Sequence, residues 1–138
     1  HLVRSRGLGD VYKRQICIYV INNKPQQVFE RFKQYQLGQL AISSITASEL
    51  AFGVEKSGSE RNKQALNKFL SPLEILPYDE QAIWHYAKLR QNLQSTGKPI
   101  GSLDMLIAAH ALALDVVLVT NNTKEFERID GLKLENWV

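Results

Sequence analysis

Five side chains of this 138-residue chain could do chemistry together: the carboxylates of Glu49, Asp104 and Glu125, with Thr120 and Asn122 beside them. Glu49 falls in the second turn of a helix that follows the apolar run Leu40-Ala41-Ile42-Ser43. Its neighbours at helical spacing, Ile45, Phe52 and Gly53, are apolar or tiny, so it reads as an unpaired carboxylate on a buried flank. Asp104 lies in the first turn of a later helix, the end whose dipole favours negative charge. Asn122 and Glu125 follow Thr120, where the chain leaves the run Val116-Val117-Leu118-Val119. Taken singly, Glu49 is a surface acid and Asp104 a helix-end charge. Taken together they point to a cation. Crowded carboxylates repel, and an all-oxygen donor set without thiols favours Mg²⁺ or Mn²⁺, which keep positions open for a phosphate oxygen.

Convergence of these residues requires a particular framework. Asn23 and Pro25 open a predicted helix with Val28, Phe29, Phe32 and Tyr35 on one face, and Gly38 closes it. A strand at residues 40–43 leads into a helix N-capped within residues 44–46, with Ala47, Leu50, Ala51 and Val54 on one face. A loop at Ser57-Gly58-Ser59, a helix over 60–70 and a strand over 73–76 follow. Asp79 caps a long helix with the stripe Ala82, Tyr86, Leu89 and Leu93. Gly97, Pro99 and Gly101 end it, and Ser102 caps the helix over 103–114. A central strand at 116–120, a helical turn near Glu125 and a last strand over 132–137 complete the order. Strands separated by helices predict an α/β fold with a parallel twisted sheet flanked by helices. Ligands of such sheets bind beyond the carboxyl ends of the strands, which is where the five residues fall.

Composition narrows the class. At 44% hydrophobic and 22% charged residues the chain matches a single globular domain. It lacks an apolar run of membrane-spanning length or a signal-peptide pattern, so a cytosolic protein is expected. One cysteine and three histidines offer no zinc spacing. The net charge of +3 resides wholly in the head, where Arg4, Arg6, Lys13 and Arg14 oppose Asp10. Residues 16–138 hold thirteen basic and thirteen acidic side chains and are formally neutral. Residues 1–15 show no strand or helix periodicity, and the string DVYKRQ resembles a translated sequencing adapter. They are expected to be a non-native head on a domain spanning 16–138.

The segments SSITASELAFGVEKS, PIGSLDMLIAAHAL and LVTNNTKEFERIDGLKLENW resemble the PIN-domain ribonucleases, specifically the VapC toxins of toxin–antitoxin pairs. The resemblance spans residues 16–138. It implies a PIN-like fold and a Mg²⁺- or Mn²⁺-dependent endoribonuclease that cuts tRNA or rRNA, is neutralised by a cognate antitoxin and forms a homodimer. Position by position, Glu49 and Asp104 match the family's second and third acids. Asn122 stands where many members have aspartate, which implies a water-positioning or phosphate-contact role. Thr120 matches the hydroxyl residue that holds this loop, and Glu125 supports the set. The family's first strand ends Leu-Asp-Thr-Asn, and its aspartate is the first metal ligand; Lys13, Arg14 and Gln15 stand in the places of Asp, Thr and Asn.

That departure keeps a second reading open, a catalytically impaired PIN-like module that binds antitoxin or RNA without cleavage. A small phosphotransferase is a weaker third, since no Gly-rich phosphate loop follows a strand. Among the remaining residues, His110 and Cys17 read as packing residues, and Trp84 and Trp137 as buried rather than base-stacking.

Overall fold

A computed structural model describes residues 2–8, 13–19, 40–98, 100–120 and 123–136, the first two stretches by their backbone. The strands are β1 (Leu2–Leu8), β2 (Lys13–Tyr19), β3 (Leu40–Ser43), β4 (Glu74–Leu76), β5 (Val117–Val119) and β6 (Lys133–Glu135). The helices are α1 (Ser44–Ser57), α2 (Glu60–Leu70), α3 (Glu80–Ser95), α4 (Ser102–Leu114) and the single turn α5 (Thr123–Phe126). The predicted helix at 23–38, Asn121, Asn122 and Trp137 lie outside the described residues, as does the side chain of Cys17.

The six strands form one sheet in the order β4-β3-β1-β2-β5-β6. β3 with β4, β2 with β5, and β5 with β6 run parallel, as crossover helices require. β1 is the exception, antiparallel to both neighbours. The head therefore contains a strand where its composition predicts none, and the expected boundary before Ile16 falls inside β2. Seven residues paired on both strands of a hairpin, Leu2 with Tyr19 through Leu8 with Lys13, satisfy backbone groups without needing an apolar pattern.

Register defines a carboxyl edge: Ser43 lies beside Leu76, Tyr19 beside Val119, and Val119 beside Glu135. Thr120 extends that last pairing by donating its N–H to the Glu135 carbonyl at 3.0 Å. Lys13 sits at the other end of β2, six residues or roughly 20 Å from Tyr19 at about 3.3 Å per residue.

The core forms where α4 lies on the sheet and against α3. Ala108, Ala109 and Ala111 are fully buried, small enough for close helix packing, and Ile107, Leu118 and Phe126 fill the remaining space. Ala82, Leu89 and Leu93 bury the inner face of α3 as the periodicity predicts, whereas Tyr86 is half-buried. Trp84 is 65% exposed and its expected burial is wrong. Two residues beyond Ala82 it is turned some 200° around the helix, away from the stripe. The apolar face of α1 is only partly covered. Thr46 alone is buried on that helix, and Ala51 is exposed.

Candidate functional site

Two junctions bring α1 and α4 to the carboxyl edge. The first is at the end of β3, where Ser43, rather than a residue in 44–46, is the N-cap of α1; its Oγ accepts from the Ile45 N–H at 3.1 Å. The same buried oxygen lies 2.8 Å from Nδ1 of His110 on α4. Burial pushes the His110 ring below its ordinary pKa, which favours the neutral imidazole beside the Ser43 hydroxyl. Nε2 has no partner of good hydrogen-bond geometry, although the Pro77 backbone interacts with the ring. Tyr78 meets the imidazole edge-on at 5.5 Å between centroids, and its backbone N–H donates to Ser44 Oγ at 3.0 Å. His110 is therefore a packing residue, as its alanine neighbours imply.

The second junction is at the start of α4. Gly101, not Ser102, is the N-cap, and it has no side chain with which to cap. Its N–H instead donates to Glu125 Oε1 at 2.8 Å, across 24 residues of chain. Asp104 and Glu125 flank this glycine: a methyl there would stand 3.8 Å from Asp104 Oδ2 and 3.9 Å from Glu125 Oε1. Asp104 is half-buried, and its carboxyl is pushed up to about 6. Burial is the main cause, followed by the charge of Glu125, a hydrogen bond with it, and the charge of Glu49. Glu49 itself is exposed, which corrects the buried flank expected for it. The helix that carries it buries only Thr46, so apolar neighbours on its stripe do not imply cover.

The structure thus brings Glu49, Asp104 and Glu125 within electrostatic reach and places buried Thr120 at the adjoining strand end. Asn122 lies outside the described residues. Sequence reasoning missed Gly101 and Ser43. The signal for Gly101 was available, because a glycine N-cap needs an acceptor from elsewhere in the fold. The signal for Ser43 was ambiguous within the run Ser43-Ser44-Ile45-Thr46.

The donor set is carboxylate oxygen, and the Asp104 carboxyl is raised first by burial and then by the neighbouring charges of Glu125 and Glu49. Among the described residues no group of three His, Cys, Asp or Glu side chains is placed to hold a metal ion. Lys13 does not intrude on this region: Tyr19, not Lys13, is the β2 residue that reaches the carboxyl edge.

A mostly parallel sheet with acids at its carboxyl edge agrees with the PIN-like fold that the sequence resemblance implies. The PIN domain family matches residues 14–132, and the chain belongs to that family. Within it, the chain falls among the VapC ribonucleases. It is 46% identical over 123 residues to the tRNA(fMet)-specific endonuclease VapC of Shigella flexneri, covering 88% of this chain and 92% of the relative. It is 44% identical over 124 residues to ribonuclease VapC2 of Haemophilus influenzae, covering 89% and 93%. Among solved structures, DNA-bound VapBC from Salmonella typhimurium superposes with a TM-score of 0.82 at 42% identity, covering 88% of this chain and 98% of that one. No helix among the described residues is long and apolar enough to cross a membrane.

Proposed function

We propose that this chain is a cytoplasmic VapC-type toxin, a metal-dependent endoribonuclease acting on tRNA or rRNA and neutralised by an antitoxin. The observation that carries the reading is the raised carboxyl of Asp104 among Glu125 and Glu49 at the carboxyl edge. The relatives named as tRNA(fMet)-specific endonucleases favour tRNA as the substrate, and the VapBC complexes among its structural neighbours favour an antitoxin partner. Asp104 and Glu49 would hold Mg²⁺ or Mn²⁺. When bound, the cation supplies an activated water and counter-charge for the scissile phosphate. Glu125 adds negative charge and holds the Gly101 amide, Asn122 contacts the phosphate or its water, and Thr120 anchors the loop between them. Since residues 16–138 are formally neutral, phosphate binding falls to the cation and to a homodimer that adds the basic residues of two chains.

A second reading rests on the missing first aspartate: as it stands, with residues 1–15 a non-native head, the chain is an impaired module that binds antitoxin or RNA without cutting. One experiment separates the two. The head is replaced by a strand ending Leu-Asp-Thr-Asn before Ile16, which supplies the first acid provided that the new strand ends at position 13 and so brings this position, now at the far end of β2, to the carboxyl edge; cleavage of tRNA is then followed with Mg²⁺ or Mn²⁺. Cleavage by the repaired chain and not by the original supports a toxin whose head disables it. Failure of the repaired chain to cut while it still binds antitoxin leaves the binding module.

A further inference from the structure

Asp104 occupies the third position of α4, counted from its N-cap Gly101. In a capping box this is the position whose carboxylate folds back onto the N–H of the N-cap residue. That amide is already taken, because Gly101 donates to Glu125 Oε1 at 2.8 Å. Both ends of the contact are fixed from below. Glu125 precedes Phe126, which is fully buried, and Gly101 follows buried Ile100. The Ile129 N–H donating to the Phe126 carbonyl at 3.1 Å, with Ile129 also in the core, holds the turn that presents Glu125.

We propose that Glu125 is a positioning residue: it caps α4 from outside and so keeps the Asp104 carboxylate out of a capping box with Gly101 and beside Glu125 at the carboxyl edge. The inference rests on the reading of Asp104 as a metal-holding acid, and it gives Glu125 a task apart from ligation. An acid at this place also suits the positive end of the α4 dipole. Without Glu125, the Gly101 N–H and the Asp104 carboxylate are each other's nearest local partners. The helix end would remain capped and the protein folded, with the catalytic-edge oxygen withdrawn.

The test compares D104A, E125A, the double variant and E125Q with the parent chain, by amide hydrogen exchange at Gly101 and by Mn²⁺ titration read from paramagnetic broadening. The Gly101 amide should be protected in the parent, in D104A, where Glu125 still holds it, and in E125A, where Asp104 replaces it. Protection should disappear only in the double variant. E125Q loses the charge but keeps the acceptor, so E125A should bind Mn²⁺ about tenfold to a hundredfold more weakly than E125Q, the range seen for partners that orient metal ligands. A cap of purely structural value would leave those two affinities equal, and a Glu125 that ligates directly would lower both alike; either result overturns the proposal. So does loss of Gly101 protection in D104A alone, which would make Asp104 the cap, or in E125A alone, which would show that Asp104 does not fold back. If neither the parent nor the chain repaired with Leu-Asp-Thr-Asn before Ile16 gives Mn²⁺ broadening near Asp104, the metal-holding role of Asp104 fails, and Gly101 exchange by itself decides the capping claim.

Discussion

Two polar regions join α1 to α4, and they are opposites. At one, Ser43 and His110 meet 2.8 Å apart inside the core, neutral and edge-on to Tyr78. At the other, Asp104 is half-buried between Glu125 and the exposed Glu49, three groups of one sign. The first region ties the end of β3 to the middle of α4 with groups that satisfy one another, and contributes cohesion. The second opposes folding, since its charges crowd and burial penalises the ionised Asp104. A domain retains such an arrangement where a ligand of opposite charge repays it. The cohesive node holds the repelling edge in place.

The largest expected effect is on the acidic edge. In a chain carrying Leu-Asp-Thr-Asn before Ile16, D104A should lower metal-dependent RNA cleavage by roughly a thousandfold, the loss of several kcal/mol of transition-state stabilisation. A single-turnover cleavage assay measures it. Next comes the node. H110A removes a buried ring and leaves the Ser43 hydroxyl without its side-chain partner, so urea unfolding should show a loss of about 2–4 kcal/mol.

A third experiment sharpens the contrast through pH. The folded state holds the Asp104 proton to about pH 6 instead of 3.8, so stability present at low pH is lost as pH rises through that interval. D104N removes this penalty. It should stabilise the metal-free chain by about 1 kcal/mol at pH 7.5, after discount for solvent screening, and by nothing near pH 3. His110 has the opposite sign: its pKa lies below 6.5 in the fold, so its stabilisation is present above 6.5 and lost as pH falls through the lowered value. Thermal melts of parent, D104N and H110A across pH 3–8 report both slopes. The smallest effect belongs to Lys13. Its backbone stands at the far end of β2, so K13A should change Mn²⁺ affinity less than about twofold by titration.

Much of the framework was legible. Helical spacing and punctuation place α2 and the Asp79 cap of α3 where the structure has them, and the run before Thr120 contains β5. Both N-caps at the site were misplaced by a residue or more, for a physical reason. Several capping residues adjoin each start, and the choice among them depends on partners distant in sequence: His110 for Ser43, Glu125 for Gly101. Trp84 was read as buried because periodicity defines a face and carries no information about what covers it.

The amino-acid sequence by itself determined which chemistry is available: oxygen ligands without thiols, acids following strand ends, and three motif segments that resemble the PIN-domain ribonucleases. These follow from side-chain type and short-range order, which need no partner. Tertiary structure alone decided that Glu125 reaches across 24 residues to the Gly101 amide, that Asp104 is pushed up to about 6, and that Lys13 lies away from the acids. Each depends on strand register or on the approach of distant segments, and a hydrogen bond or a charge interaction is set by distances that local sequence does not contain.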